Sequence, residues 1–222
     1  MGGSIGAWLI RAGHDVVLVD TDAAHAAAIR ENGLRITGPV DEFTVEAYCT
    51  DPLRLDPGFK TVLLCVKAHH TSVALNVIGQ LLHEDGFVVS VQNGLNERGI
   101  AGAVGPERTV GCFVNFGADV LEPGVIMRGN RGAVVVGELD GVRTDRISAV
   151  HALFQDFDPD AVLTENIWGY LWGKLAYGSM LFATALADAS IADVLESAAH
   201  RPGIIGLARE AMAVAAARGV KP

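Results

Sequence analysis

Short apolar runs alternate with helical patterns along the first half of the chain. Runs rich in Val and Leu, bounded by glycine or polar residues, predict buried strands over His14–Asp20, Thr61–Val66 and Phe87–Val91. Around these strands, apolar and small residues predict helices over Ser4–Ala12, Asp22–Asn32, Thr71–Leu82 and Asn96–Val104. This alternation predicts right-handed βαβ crossovers and an α/β fold with a doubly wound parallel sheet.

The pattern changes after residue 109. Strands joined by short turns are predicted over Val110–Ala118, Gly124–Arg128 and Ala133–Gly137, then a helix over Arg143–Phe157 and a last short strand over Ala161–Thr164. Two further strands are predicted earlier in the chain, over Leu34–Ile36 and Phe43–Cys49. We interpret the strands after residue 109 as the later end of a sheet. From Asn166 onward the pattern is helical, with helices over Ile167–Ala187, Ile191–Ala199 and Pro202–Arg218. We therefore predict two domains, 1–165 and an all-helical 166–222.

Composition excludes several classes of protein. Lys and Arg number 17 against 26 Asp and Glu, so no excess of basic residues is present to neutralise a nucleic acid. The longest apolar stretch, Leu171–Leu186, is interrupted by Lys174, and no signal-peptide pattern follows Met1. We therefore expect a cytoplasmic protein that does not enter a membrane.

The three cysteines, at positions 49, 65 and 112, lie far apart in the sequence. No CxxC spacing occurs among them. We interpret them as reduced, buried thiols and predict no metal site.

The start of the chain carries the strongest candidate for chemistry. Gly2 and Gly3 lead into the first predicted helix, and the strand after that helix closes on Asp20. A glycine-led helix start lets a pyrophosphate approach backbone N–H groups, and an acid about 20 residues on accepts the ribose hydroxyls. This order predicts the second half of a dinucleotide-binding βαβ unit, in which Gly2 is the last glycine of G-x-G-x-x-G. The first strand and the two earlier glycines would lie ahead of Met1.

The acid at the end of the second strand bears on the choice of cofactor. A carboxylate at Asp20 repels a 2′-phosphate, and Thr21 offers no positive charge in compensation, which favours NADH over NADPH. An alternative stays open, in which Asp20 or Asp22 only caps the next helix.

Two further candidates follow strands, at the sheet edge where open α/β sheets bind ligands. Lys67 could meet a phosphate or a substrate carboxylate; alternatively, it is a solvated lysine at a strand end. Asn93 could hold the nicotinamide ribose or the substrate through its amide, and Asn93-Gly94 is also a strong turn former. For Asn93 the two interpretations are compatible.

The long helix predicted over Ile167–Ala187 carries one cation in an apolar setting. Lys174, Gly178 and Phe182 are spaced i, i+4 and i+8, so they share one face. A lysine on that face can hydrogen-bond a carbonyl oxygen and protonate it as hydride reaches the carbon. The alternative is a lysine whose stem lies along the apolar surface while its charge stays in water.

Taken together, the motifs resemble those of the ketopantoate reductase (2-dehydropantoate 2-reductase) family. The matching segments, in order, are Met1–Gly3, Ala12–Val16, Val66–Ala68, Gln92–Gly94 and Trp172–Leu175. The resemblance implies a Rossmann domain over 1–165, a helical domain over 166–222 and an active site between them. It also implies NAD(P)H-dependent reduction of a 2-oxo acid to a 2-hydroxy acid. Lys174 would be the catalytic acid, with Lys67 and Asn93 lining the cofactor and substrate site.

The chain departs from the family pattern at three points. Asp20 stands where the family commonly has a basic residue that suits NADPH. Gly178 and Phe182 occupy the positions of two substrate-binding asparagines, which favours a more apolar substrate than 2-dehydropantoate. The family also extends further and carries a C-terminal glutamate that supports the lysine, so we expect a chain that is truncated at both ends.

The sequence therefore predicts an oxidoreductase that takes a small 2-oxo acid. NADH or NADPH would be bound by Gly2, Gly3, Asp20, Lys67 and Asn93. Asn93, Gly178 and Phe182 would contact the substrate. A catalytically incomplete nucleotide-binding module is the alternative, and a homodimer is left open as the assembly.

Overall fold

The computed structural model describes residues 1–221, which form a mixed α/β fold. The α-helices are α1 (Gly2–Arg11), α2 (Ala23–Asn32), α3 (Thr71–Leu81), α4 (Glu97–Val104), α5 (Asp145–Phe157), α6 (Ile167–Thr184), α7 (Ile191–Glu196) and α8 (Arg201–Ala217). The strands are β1 (Val17–Val19), β2 (Leu34–Thr37), β3 (Phe43–Val45), β4 (Tyr48–Thr50), β5 (Phe59–Leu64), β6 (Leu82–Ser90), β7 (Thr109–Val114), β8 (Ala118–Glu122), β9 (Val125–Arg128), β10 (Val134–Glu138) and β11 (Val162–Leu163). The chain divides into two compact units, the first ending at Glu165 and the second beginning at Asn166.

The largest sheet of the first unit has five strands in the order β11-β10-β7-β6-β5. Its strands β5, β6 and β7 run parallel, and β10 runs antiparallel to β7. Strands β1 and β4 form a separate parallel pair. The prediction of a Rossmann-type α/β fold followed by helices is confirmed, with the strands divided differently from what the sequence suggested.

Two predicted strands prove to be two strands each. Phe43–Cys49 divides into β3 and β4, which belong to different sheets. Val110–Ala118 ends as β7 at Val114, and Ala118 opens β8. Strands β8 and β9 also leave the main sheet, because β9 pairs with β2 in a third sheet of order β3-β2-β9-β8. The prediction that these strands continue one sheet was therefore wrong.

Helix α1 takes part in both principal cores of the first unit. Its Ile5 and Leu9 pack among the residues of the main sheet, whereas Ala7 packs with side chains of α2, β2 and β9. The helix also lies close to β1, since a Cβ on Gly6 would stand 2.5 Å from Leu18 Cδ2. The helix that leads the dinucleotide motif is thus fixed on both sides by packing.

The second unit consists of α6, α7 and α8. Helix α6 buries Leu171, Trp172 and Ala176, and α8 buries Ile204 and Ala215. The amide of Asn166 at the start of α6 donates to the carbonyl oxygen of Lys221 at 2.7 Å, which ties the two ends of the unit together. The described helices contain no apolar stretch long enough to cross a bilayer.

Candidate active site

The start of α1 presents backbone N–H groups without helical acceptors. The first intrahelical bond runs from the N–H of Ile5 to the carbonyl oxygen of Met1 at 3.1 Å, so the N–H groups of Gly2, Gly3 and Ser4 have no partner within the helix. No side chain within residues 1–221 caps this end. A Cβ on Gly3 would stand 2.5 Å from Ile126 Cδ1, so α1 lies close to β9 at this glycine.

The same helix end lies beside the residues that follow β5. A Cβ on Gly2 would stand 3.0 Å from Cys65 Cβ. Burial lowers the pKa of the Met1 amino group, and the positive charge of Lys67 lowers it further. Burial raises the pKa of the Cys65 thiol to about 11, so this sulfur stays protonated. The glycine-led helix start and the Lys67 turn therefore share one region.

The two acids after β1 have separate roles. The N–H of Asp20 donates to Thr50 O at 3.1 Å, and Asp20 Oδ1 accepts from the N–H of Asp22 at 2.9 Å. Asp22 is the residue that caps α2, since its Oδ1 accepts from the N–H groups of Ala24 and His25. Asp20 lies exposed at the strand end and is not needed as the helix cap.

The turns after β5 and β6 are joined by one side chain. The ladder between these strands extends to a bond from the N–H of Val91 to Leu64 O at 2.9 Å. Just beyond it, Gln92 Nε2 donates to Val66 O at 2.7 Å and to Thr71 Oγ1 at 2.8 Å.

Both predicted side chains on these turns are exposed. Lys67 directly follows Val66, and Asn93 directly follows Gln92. The carbonyl oxygen of Asn93 accepts from Asn96 Nδ2 at 2.9 Å, and Gly94 takes a φ of 102°, which favours glycine. The structure thus brings Lys67 and Asn93 to neighbouring turns at the carboxyl ends of two parallel strands.

A buried acid that the sequence analysis missed lies at the start of α4. Glu97 is fully buried, and within residues 1–221 neither of its carboxylate oxygens has a hydrogen-bond partner of good geometry. Burial raises the pKa of this carboxyl to about 7, although its own backbone and the nearby Ser90 hydroxyl partly offset that effect. An acid in the first turn of a helix is common in sequences, so no local signal distinguished Glu97.

The remaining predicted residues lie in the second unit, on α6. This helix includes Lys174, Gly178 and Phe182 without interruption. Lys174 is half-buried, and the Phe182 ring is 81% exposed. A Cβ on Gly178 would meet Phe182 Cε2 at 4.0 Å, an ordinary contact, so a Cβ fits at this position.

Comparison with known proteins assigns this arrangement to a family. Residues 1–141 match the family model of ketopantoate reductase PanE/ApbA. The chain is 27% identical over 224 residues to a 2-dehydropantoate 2-reductase of Halobacterium salinarum, which covers 99% of this chain and 73% of that protein.

Solved structures give the same picture. The crystal structure of 2-dehydropantoate 2-reductase from Geobacter metallireducens GS-15 matches with a TM-score of 0.88 at 28% identity, covering 98% of this chain and 73% of that one. D-mandelate dehydrogenase, solved with NADH and anilino(oxo)acetate, matches with a TM-score of 0.87 at 21% identity, covering 100% of this chain and 72% of that one. At this lower identity the likeness concerns the fold.

The Rossmann-type fold and these matches define an NAD(P)-dependent oxidoreductase. Within that class, the chain belongs to the ketopantoate reductase PanE/ApbA family. The resemblance and the enzyme class predicted from the sequence are thereby confirmed.

Proposed function

We propose that this chain uses NAD(P)H, with NADH preferred, to reduce the carbonyl of a small 2-oxo acid to the 2-hydroxy acid. The observation that carries the proposal is the family match over residues 1–141, which include every predicted cofactor-binding residue. The substrate would be 2-dehydropantoate, as the relatives' names suggest, or a related and more apolar 2-oxo acid.

The first unit has groups suited to a dinucleotide. The N–H groups of Gly2 and Gly3 and the positive end of the α1 dipole would hold the pyrophosphate. Lys67 would add positive charge at the same place, and the Asn93 amide would bind the nicotinamide ribose or the substrate. Bound there, the cofactor supplies a hydride from C4 of its nicotinamide ring.

The preference for NADH is argued from Asp20. Its exposed carboxylate has one oxygen, Oδ2, that is not engaged by the backbone of Asp22, and this oxygen can accept hydrogen bonds from ribose hydroxyls. A 2′-phosphate at the same place would meet a like charge. NADPH should therefore bind more weakly than NADH.

Lys174 would supply the proton for the reduction. Its ammonium group would donate a hydrogen bond to the substrate carbonyl oxygen and release that proton as the carbon accepts the hydride electron pair. Gly178 and Phe182, on the same face of α6, offer no amide donors. Their small and aromatic side chains suit an apolar substituent on the 2-oxo acid.

The first experiment is a separate titration of NADH and NADPH into the purified chain, followed by transfer of tryptophan fluorescence to the nicotinamide. A set of 2-oxo acids is then added to the NADH complex. We expect tighter binding of NADH and its oxidation on addition of one of these acids. NADH binding without oxidation by any of them would favour the alternative of a nucleotide-binding module, and binding of neither cofactor would contradict both interpretations.

The role of Lys174 is tested by replacement. Lys174→Ala should lower kcat by at least about 10²-fold, the lower range for general acid catalysis, because the carbonyl oxygen loses its proton donor. NADH affinity should change little, since the proposed cofactor contacts lie in the first unit. Lys60→Ala, which removes an exposed lysine on β5, is the matched control. Near-normal turnover in the Lys174 variant would overturn the assignment.

A further inference from the structure

Polar side chains interrupt the apolar face of β6 as this strand reaches its carboxyl end. Val88 packs with Leu64, Ile78 and Ile100 beneath α3 and α4. Side chains on a strand alternate between faces, so Ser90 lies on the same face as Val88. Gln92 follows two residues later, just beyond the end of β6. Gln92 is 4% exposed. A buried amide is costly unless it is hydrogen-bonded. Within residues 1–221 the Oε1 atom of Gln92 has no hydrogen-bond partner, so only the bonds of its NH₂ group offset this cost.

Both hydrogen bonds of the Gln92 NH₂ group go to the segment around Lys67. One acceptor is the carbonyl oxygen of Val66, the residue before Lys67. The other is the hydroxyl of Thr71, four residues after Lys67, where α3 begins. Thr71 is also buried. The amide therefore holds the chain on both sides of the Lys67 turn, while its own backbone leads directly into Asn93.

We infer that Gln92 is a positioning residue, whose two hydrogen bonds fix the spacing of the Lys67 and Asn93 turns and thereby set the affinity for the dinucleotide. The inference rests on the proposed function, because the ligand that contacts both turns is the proposed cofactor. Gln92 continues the connection between β5 and β6 past the last ladder bond, into the region where the two turns separate. A dinucleotide bound across both turns would otherwise have to order them at the expense of its own affinity.

The test compares variants that remove one or both bonds. Gln92→Met keeps the length of the side chain and loses both bonds, and Thr71→Val loses one. Thr71→Ser keeps the hydroxyl and should rescue the effect of the valine. Gln80→Met, which changes an exposed glutamine on α3, is the control. For each variant, NADH affinity is measured well below its melting temperature, and deuterium uptake is followed over residues 66–71 and 92–97.

We expect NADH to bind about tenfold more weakly to Gln92→Met and about threefold more weakly to Thr71→Val, following the strength of ordinary hydrogen bonds. Deuterium uptake should increase in both turns together, and Thr71→Ser and Gln80→Met should behave like the parent chain. A residue with a merely structural role would lower the melting temperature and leave the NADH affinity of the folded protein unchanged. That result, or unchanged uptake in the two turns, would overturn the inference.

Failure of the proposed function gives a different result. If the parent chain binds neither NADH nor NADPH, the proposed function fails and the link to affinity falls with it. Deuterium uptake then tests only whether Gln92 holds the two turns together. Increased uptake in both turns of Gln92→Met supports this, and unchanged uptake refutes it. If Gln92→Met does not fold, the comparison of Thr71→Val with Thr71→Ser decides in the same way.

Discussion

Glu97 is a buried carboxyl whose proton is linked to the stability of the first unit. In the folded protein it ionises near pH 7, against an ordinary value of 4.5 in the unfolded chain. Between these two pH values the folded state keeps the proton and the unfolded state releases it. The free energy of unfolding should therefore fall as the pH rises through this window and level off above it.

This pH dependence can be measured by urea denaturation of the parent chain and of Glu97→Gln between pH 4 and 8. Relative to the parent chain, Glu97→Gln should gain stability as the pH rises, because it has no carboxyl to ionise. The difference in the free energy of unfolding between the two chains should change by on the order of 3 kcal/mol from pH 4 to pH 8. Glu84→Gln, at an exposed site, should follow the parent at every pH. A constant difference between Glu97→Gln and the parent would refute the prediction.

A second prediction at the residue scale separates Asp20 from Asp22. Asp22→Ala removes the cap of α2 and should lower the free energy of unfolding by about 1 kcal/mol, with NADH affinity unchanged. Asp20→Asn removes a charged acceptor and should weaken NADH binding by about tenfold. The difference in affinity between NADH and NADPH should then become smaller. Denaturation and cofactor titration of both variants check this. If Asp20→Asn instead lowered the free energy of unfolding and left NADH affinity unchanged, Asp20 would have a structural role only.

At the scale of elements, a buried ion pair connects β9 to the end of α5. Arg128 Nη2 donates to Asp158 Oδ2 at 3.1 Å, and both side chains are almost fully buried. The guanidinium also stacks on aromatic rings, 4.6 Å from the centroid of Trp8 and 4.1 Å from that of Phe157. Burial lowers the pKa of Arg128, and Asp158 partly restores it. The pair therefore fixes the third sheet against α1 and α5.

Breaking this pair should be costly. Asp158→Ala leaves a buried cation unpaired, and we expect a loss of about 3–5 kcal/mol in the free energy of unfolding. Glu165→Ala is the control, because Arg143 and Glu165 form an exposed pair worth less than about 1 kcal/mol. Chemical denaturation of both variants makes the comparison. If both variants lost a similar amount of free energy of unfolding, burial would not be what makes the Arg128–Asp158 pair costly to break.

The elements also show where sequence patterns stop being informative. Helices such as Thr71–Leu81 and Asp145–Phe157 were predicted to within a residue or two, because apolar spacing and capping residues are local. Strands β3 and β4 were merged into one, because nothing within Phe43–Cys49 indicates that its two halves pair with different partners. Strand pairing depends on distant segments, which a local pattern does not contain.

At the scale of the whole chain, the predicted residues are divided between the two units. Every predicted cofactor-binding residue lies before Glu165, and Lys174, Gly178 and Phe182 lie after it. A fragment of residues 1–165 should therefore bind NADH with a dissociation constant close to that of the whole chain and should not turn over any 2-oxo acid. Circular dichroism establishes that the fragment folds. A folded fragment without NADH affinity would place essential cofactor contacts in the second unit.

The sequence by itself determined the order of the helices and of most strands, the glycine-led helix start with Asp20 after it, and the motifs that lead to the ketopantoate reductase family. These are features of neighbouring residues, so they can be read along the chain. Tertiary structure alone decided the division of the strands into three sheets, the burial of Glu97, the Arg128–Asp158 pair and the bonds of Gln92. The two acceptors of Gln92 lie 26 and 21 residues away, and Arg128 and Asp158 are 30 residues apart. Contacts at such separations arise only when the sheets and helices pack, since packing sets which polar groups lose water and which partners they meet.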